Sequence, residues 1–187
     1  MRNYQITEWC HHFIQEHVKQ GDCCIDATAG NGNDTQLLCE LVGETGTVFA
    51  FDIQAEAIKR TKERLLKAGL SARAEVLEDS HVHMANYVDE ESVSCIVFNF
   101  GYLPGGDHHL ATKKESSIQA IREGLRLLKK GGFMSLCIYS GGDSGFEERD
   151  AILAELKKLD GRQYLVIVSE YYNRPNNPPI PVIIIKL

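Results

Sequence analysis

The segment Asp26-Ala27-Thr28-Ala29-Gly30-Asn31-Gly32-Asn33-Asp34 decides how this chain folds. It follows the apolar run Cys23-Cys24-Ile25 and precedes a helical pattern that reaches Leu41. Gly30 and Gly32 allow backbone conformations that are closed to other residues, and they let a ligand approach the main chain. A strand that ends in a carboxylate, turns through glycines and enters a helix is typical of a nucleotide-binding loop. The segment therefore predicts a nucleotide site and leaves open which nucleotide it holds.

The charge of this loop favours a cationic ligand. The dinucleotide fingerprint requires a third glycine where this chain has Thr35, and Asp26 and Asp34 would repel a pyrophosphate. Two carboxylates suit S-adenosylmethionine, which carries a sulfonium and an ammonium group. A nicotinamide oxidoreductase remains as the disfavoured alternative.

A second acidic position supports the nucleotide interpretation. The apolar run from Val48 ends in Asp52, about 20 residues beyond Gly30, the spacing at which a carboxylate meets ribose hydroxyls in nucleotide-binding α/β folds. Glycine pairs alone are common in turns. Acidic residues at two successive strand ends make a plain turn the weaker explanation.

Apolar runs alternate with segments of helical period along the whole chain, which predicts an open α/β sheet in a single domain over residues 1–187. We expect a Rossmann-like fold with seven strands, mostly parallel, an antiparallel last strand and helices on both faces. The helix that begins at Lys113 is expected to stop before Gly131-Gly132. The predicted helices cover 4–19, 34–42, 55–69, 113–130 and 147–159, and the predicted strands cover 22–27, 47–52, 73–77, 93–99, 132–139, 163–170 and 181–187.

Composition limits the function classes. The 187 residues include 43% hydrophobic and 25% charged residues, no apolar run approaches the ~20 residues of a membrane span, and the N-terminus does not resemble a signal peptide. Six cysteines without C-x-x-C spacing favour reduced thiols and a cytoplasmic protein over disulfides or zinc, and no metal is expected. The formal charge of −6 disfavours a general polyanion binder but permits a local basic patch.

The chain resembles class I S-adenosylmethionine-dependent methyltransferases over nearly its whole length. More closely, it is similar to the small bacterial family called rRNA methylases, of the MnmM type, which is associated with methylation of the aminomethyl group on the wobble uridine of tRNA. The resemblance rests on five motifs, at Asp26–Thr35, Phe51–Gln54, Asp79–His81, Asn99–His108 and Arg174–Pro179.

The resemblance implies that Asn31 and Asn33 shape the loop around the methionine part, Asp52 and Gln54 meet the ribose, and Ser80 and His81 border the adenine. Ser80 could instead be only a helix N-cap, and His81 with His83 could be surface histidines. The full set of expected cofactor residues is Asp26, Thr28, Gly30, Asn31, Asn33, Asp34, Asp52, Gln54, Ser80, His81 and Asn99.

The segment Asn99-Phe100-Gly101-Tyr102 is similar to the Asn-Pro-Pro-Tyr loop of amino methyltransferases. That likeness implies that the Asn99 side-chain oxygen accepts a hydrogen bond from the attacking amine and that an aromatic ring covers it. An aliphatic amine in water has a pKa of roughly 10, so a proton must leave before attack. Asp107, His108 and Tyr139 are the alternative acceptors, and Asn99 cannot serve as the base. The expected catalytic residues are Asn99, Tyr102, Asp107 and His108.

The expected substrate contacts are Phe100, Gly101, Pro104, Gly106, Tyr139, Arg174 and Pro178. Residues 103–107 could instead be a surface turn, and Arg174–Pro179 a plain connector, although Arg174 could pair with an RNA phosphate.

The resemblance implies N-methylation of 5-aminomethyl-2-thiouridine at the tRNA wobble position. The expected partner is the anticodon stem-loop of a tRNA, and an acidic chain of this size is expected to form a homodimer to extend its RNA surface. The alternatives are methylation of rRNA or of a small amine, and a non-catalytic protein that binds S-adenosylmethionine or RNA.

Overall fold

In the computed structural model, residues 5–101, 113–140 and 145–187 are described. Within these residues, seven strands form one sheet in the order β3-β2-β1-β4-β5-β7-β6. The strands are β1 (Cys23–Asp26), β2 (Thr47–Asp52), β3 (Ala74–Glu78), β4 (Val93–Phe100), β5 (Leu128–Ile138), β6 (Tyr164–Val168) and β7 (Ile180–Lys186). The helices are α1 (Ile6–His17), α2 (Asn33–Val42), α3 (Ala55–Ala68), α4 (Lys114–Leu127) and α5 (Gly145–Leu156), with short 3-10 helices at Ser71–Arg73 and His81–Asn86.

The sheet has the predicted mixed topology. Strands β1 to β5 pair in parallel, whereas β7 runs antiparallel to both β5 and β6. Because the carboxyl ends of β1, β2 and β4 meet at one edge, the segments that follow these strands converge there. The Rossmann-like architecture predicted from the sequence is confirmed.

The core lies on both faces of the sheet. One apolar cluster includes Ile96, Phe98 and Ile121 and packs β4 against α4, while another includes Ile14, Leu38 and Val97 and packs α1 and α2 against the other face. Burial of a large aliphatic or aromatic side chain contributes about 1.5–3 kcal/mol. The strands that carry the candidate site are therefore fixed from both sides.

The predicted end of the fourth helix is wrong. Helix α4 ends at Leu127, and β5 begins at Leu128, so Gly131-Gly132 lies inside the strand. Both leucines are buried, and the strand pairs Val93 with Leu128 before the register shifts to pair Cys95 with Phe133. Burial of the leucines thus ends the helix early, and the glycines belong to an irregular part of the strand.

The other boundaries agree with the prediction to within three residues, and such differences are common at element ends. All six cysteines are free thiols in described elements, and five of them are buried. Within 5–101, 113–140 and 145–187, no helix combines the length and apolar character that crossing a membrane requires.

Candidate active site

Asp26 lies beneath the loop that follows β1. Its carboxylate accepts hydrogen bonds from the backbone N–H of Thr28 at 3.2 Å and from Thr35 Oγ1 at 2.6 Å. Burial, with the negative charge of nearby Asp34 adding to it, raises the pKa of Asp26 to about 7. Its exposed fraction is 0%, so Asp26 holds the loop through these hydrogen bonds and has no surface for a ligand to contact. Thr35, which stands where the dinucleotide fingerprint has glycine, thus supports Asp26.

The Gly30–Gly32 turn is tied to the end of β2. Gly30 and Gly32 have positive φ angles of 54° and 75°, and a Cβ on Gly32 would lie 3.0 Å from Thr61 Cα. Asp52 accepts from the N–H of Gly30 and from the N–H of Gln54, each at 2.9 Å. One carboxylate therefore joins the loops after β1 and β2, and the two acidic motifs lie at the same edge of the sheet.

Two arginines of α3 brace the same turn. Arg64 Nε donates to the carbonyl oxygen of Asn31 at 2.7 Å, and Arg60 Nη1 donates to Asn31 Oδ1 at 3.3 Å. Sequence reasoning missed both arginines. Their spacing of four residues puts them on one helix face, which was the available signal. Asn33, by contrast, is exposed at the first residue of α2.

Ser80 and His81 follow β3. Ser80 Oγ accepts from the N–H of Val82 at 3.4 Å, so Ser80 is the N-cap of the 3-10 helix, as one interpretation expected. His81 Nδ1 lies 3.2 Å from the carbonyl oxygen of Ala27. Because a carbonyl only accepts, Nδ1 carries the proton. Burial lowers the pKa of His81, and its Nε2 is a buried acceptor without a hydrogen-bond partner among the described residues.

Asn99 stands at the carboxyl end of β4 and connects to both neighbouring elements. Its N–H donates to Thr28 Oγ1 at 2.7 Å, and its Nδ2 donates to Asp34 Oδ2 at 2.6 Å. The other oxygen of Asp34 lies 2.5 Å from His11 Nε2. The structure therefore brings Thr28, Asp34 and Asn99 together, as expected of a single site. His11 of α1 was not predicted.

The aromatic residues near Asn99 differ from expectation. Phe100 is fully buried and stacks on Phe98 with ring centroids 5.0 Å apart, so it packs in the core instead of lining a substrate surface. Tyr139 donates its N–H to the carbonyl oxygen of Phe100 at 3.0 Å. A Cβ on Gly101, where φ is 151°, would lie 3.2 Å from Tyr139 Cβ. Gly101 thus permits close approach of the β4 and β5 ends.

Tyr139 is a poor proton acceptor. Burial raises the pKa of its phenol well above the usual range, and the neighbouring Cys137 adds to this effect. A phenol keeps its proton under these conditions, so it lacks the free basic site that the proton of an ammonium group requires. The raised pKa therefore disfavours Tyr139 among the three acceptors considered from the sequence.

The segment between β6 and β7 faces solvent. Arg174 is exposed and its N–H donates to the carbonyl oxygen of Tyr171 at 3.2 Å, while Pro178 is half-buried. Asn176 and Asn177 both have positive φ, at 65° and 47°. This shape fits a tight turn that presents Arg174. Five further predicted positions lie outside the described residues: Tyr102, Pro104, Gly106, Asp107 and His108.

Comparison with known proteins identifies the family. Residues 48–185 match the family described as "Putative rRNA methylase". The chain belongs to this family. A protein of Arabidopsis thaliana named "tRNA (mnm(5)s(2)U34)-methyltransferase, chloroplastic" is 35% identical over 183 residues, which cover 93% of this chain and 67% of that protein.

Solved structures agree with the family assignment. A "putative rRNA-methylase" from Clostridium thermocellum has a TM-score of 0.96 and 42% identity, with 100% of both chains covered. A "putative methyltransferase" from Streptococcus mutans in complex with SAH has a TM-score of 0.89 and 32% identity, again with 100% of both chains covered. The chain also matches ubiquinone/menaquinone C-methyltransferases UbiE, of which it spans about half the length. The protein is an S-adenosylmethionine-dependent methyltransferase.

The residues present fit this cofactor. The carboxylates of Asp34 and Asp52 lie close enough to this edge for their negative charge to raise the pKa of the buried Asp26. Negative charge at this edge favours a ligand with positive charge. Asp52 retains lone pairs beyond its two backbone contacts, and a carboxylate can use them to accept from ribose hydroxyls. His81 Nε2, which has no hydrogen-bond partner in the described part of the chain, can accept from an exocyclic amino group.

Proposed function

We propose that this methyltransferase N-methylates the 5-aminomethyl group of 5-aminomethyl-2-thiouridine at the tRNA wobble position, giving 5-methylaminomethyl-2-thiouridine. One observation carries the proposal. Asn99 lies at the end of β4, at the same edge of the sheet as the proposed cofactor residues, and it donates hydrogen bonds to Thr28 and Asp34. The name of the Arabidopsis relative supports the same substrate.

Each part of the cofactor has residues suited to hold it. Asp52 and Gln54 take the ribose, Ser80 and His81 border the adenine, and the Gly30–Gly32 turn with Asn33 surrounds the methionine part. Bound S-adenosylmethionine supplies an electrophilic methyl group on its sulfonium. The residues that carry the reaction are then those that aim the acceptor nitrogen.

The chain acts on the amine chiefly by orientation. Methyl transfer is an in-line displacement, and correct placement of the reacting atoms can contribute several kcal/mol, on the order of 7 or more in favourable cases. Asn99 Oδ1 accepts a hydrogen bond from the amine and so directs the nitrogen lone pair. With Tyr139 held as a phenol, Asp107 and His108 remain the proposed proton acceptors, and Tyr102 the proposed aromatic cover.

The RNA partner in this proposal is the anticodon stem-loop. The position of Arg174 supports this partner. Arg174 is exposed on the segment that follows β6. Because β6 runs in the same direction as β4 and β5, this segment begins at the edge of the sheet where Asn99 lies. Together with Pro178, Arg174 would contact the backbone of the RNA. We propose a homodimer in the bacterial cytoplasm, in which the second subunit extends the RNA surface of an acidic chain.

The experiment is mass spectrometry of nucleosides from tRNA that carries 5-aminomethyl-2-thiouridine, after incubation with the protein and S-adenosylmethionine. The expected result is a gain of one methyl group on that nucleoside. Parallel incubations contain rRNA and a nuclease-treated RNA fraction. Methylation of rRNA alone would replace the tRNA proposal, and activity that survives nuclease treatment would indicate a small amine. No transfer to any of these, with binding of S-adenosylmethionine intact, would favour a regulatory protein.

A further inference from the structure

Three side chains from separate elements form a chain of hydrogen bonds that ends at Asn99. His11 of α1 contacts Asp34 Oδ1 at 2.5 Å, and Asp34 Oδ2 accepts from Asn99 Nδ2 at 2.6 Å. The side chains of His11 and Asp34 are 25% and 15% exposed, so solvent screens this pair only partly. The proposed function accounts for Asn99 but not for His11.

The carboxylate determines which end of the Asn99 carboxamide faces it. The oxygen and nitrogen ends of a carboxamide have nearly the same shape, so packing alone does not select between them. An ionised carboxylate only accepts hydrogen bonds, so Asp34 selects Nδ2. With Nδ2 bonded to Asp34, Oδ1 is at the other end of the carboxamide and faces away from that carboxylate. The backbone N–H of Asn99 donates to Thr28 Oγ1, which fixes the main chain at this position.

His11 in turn fixes the carboxylate. Its Nε2 forms a hydrogen bond with Oδ1 of Asp34, so Oδ2 is the oxygen that accepts from Asn99. The hydrogen bond to Asp34 raises the pKa of His11, which strengthens the pair by adding charge to the donor. Without His11, Asp34 could rotate or turn to water, and its hold on Asn99 would weaken.

We propose that His11 and Asp34 are positioning residues for methyl transfer: together they hold the Asn99 carboxamide with Oδ1 turned toward the substrate amine. This inference rests on the proposed function for its kinetic consequence. The hydrogen-bond chain itself exists without substrate, and so it can be tested separately.

The kinetic test compares His11→Phe with His11→Gln. Phenylalanine keeps a ring of similar size but donates no hydrogen bond, whereas glutamine keeps an N–H at similar reach. We expect His11→Phe to lower kcat about tenfold, the loss typical of one charge-assisted hydrogen bond, with the KM for S-adenosylmethionine within about twofold. His11→Gln is expected to recover most of the rate, and His12→Gln, on the exposed neighbouring position of α1, to match the wild type.

Three kinetic outcomes would overturn the proposal. They are an unchanged kcat in His11→Phe, an equal loss in both His11 variants, and a parallel loss of cofactor affinity and turnover. The last would make His11 part of the cofactor site instead of a residue that acts through Asn99.

The second test needs no substrate. In protein labelled with 15N at asparagine, the side-chain amide protons of Asn99, assigned by their loss in Asn99→Ala, should exchange slowly with water. Exchange should stay slow in His11→Gln and become fast in His11→Phe and in Asp34→Ala. Slow exchange in all variants would overturn the proposal. If the wild type fails to methylate tRNA but exchange follows this pattern, the proposed substrate is wrong and the positioning of Asn99 stands.

Discussion

The two halves of the carboxyl edge of the sheet are built differently. At the ends of β1, β2 and β4, polar groups bond to one another: Asp52 holds Gly30 and Gln54, and Asp34 holds Asn99. After β6, the chain instead presents side chains to solvent. Tyr172 is 98% exposed there, and Arg174 is exposed as well.

This contrast separates two recognition problems. A small cofactor binds well to groups that are already held in place, because such groups lose little conformational entropy when it binds. In the proposed function, a large RNA is bound by exposed charges that its phosphates can reach from solvent. Changes in the first half should therefore affect cofactor binding or stability, and changes in the second should affect RNA binding alone.

We call the ends of β1, β2 and β4 the fixed half of this edge and the segment after β6 the exposed half. Asp52→Ala is expected to have the largest effect on the fixed half. It removes the acceptor of two backbone N–H groups and the proposed partner of the ribose, and hydrogen bonds to a charged group contribute about 1.5–3 kcal/mol each. Affinity for S-adenosylmethionine, measured by calorimetry, should fall about 10- to 100-fold.

Asp160→Ala is the matched control. Asp160 also accepts from a backbone N–H, that of Arg162, but in the turn before β6 at the opposite edge of the sheet. Its loss should leave cofactor affinity unchanged. An Asp52→Ala variant that binds the cofactor as tightly as the wild type would remove Asp52 from the site.

Asp26→Asn tests whether the buried carboxyl group beneath the loop after β1 has a raised pKa. The measurement is the pH dependence of the free energy of unfolding. The pKa of Asp26 is raised to about 7 in the folded protein, so the native state keeps a proton that the unfolded chain releases above about pH 4. This group therefore favours folding below pH 4 and loses that contribution as pH rises to 7. Asparagine has no such loss, so the variant should gain stability relative to wild type between pH 5 and pH 8 in urea unfolding.

Asp22→Asn should show the opposite sign. Burial acts to raise the pKa of Asp22, but hydrogen bonds from Ser94 and Lys129 outweigh it, and the net pKa is lowered. Asp22 therefore stabilises the fold at neutral pH and loses that contribution as pH falls through its lowered pKa. If both variants shifted stability in the same direction with pH, the assignment of a raised pKa to Asp26 would be wrong.

The fixed half was largely predictable because its signals are local. The glycine spacing and the acidic strand ends lie within short segments, and their order along the chain places them at one edge. His11 and Arg64 reach the site over 23 and 33 residues of sequence. The helical spacing of Arg60 and Arg64 shows that they share a face but not which loop that face contacts, and no local pattern marks His11. Phe100 was misplaced although alternation along β4 puts Phe98 and Phe100 on one face and Asn99 on the other. The end of α4 was misplaced because burial of two leucines outweighed the glycine signal.

Arg174→Ala tests the exposed half and should have the smallest effect. Loss of one phosphate contact should weaken tRNA binding a few-fold and reduce the slope of log affinity against log salt by about 1, without changing affinity for S-adenosylmethionine. Arg162→Ala is the control, because Arg162 is also exposed but pairs with Asp160 at the opposite edge. Filter binding across a salt series distinguishes the two. Equal slopes in both variants would mean that tRNA responds to the overall charge of the protein, and then the segment after β6 would be only a connector between two strands.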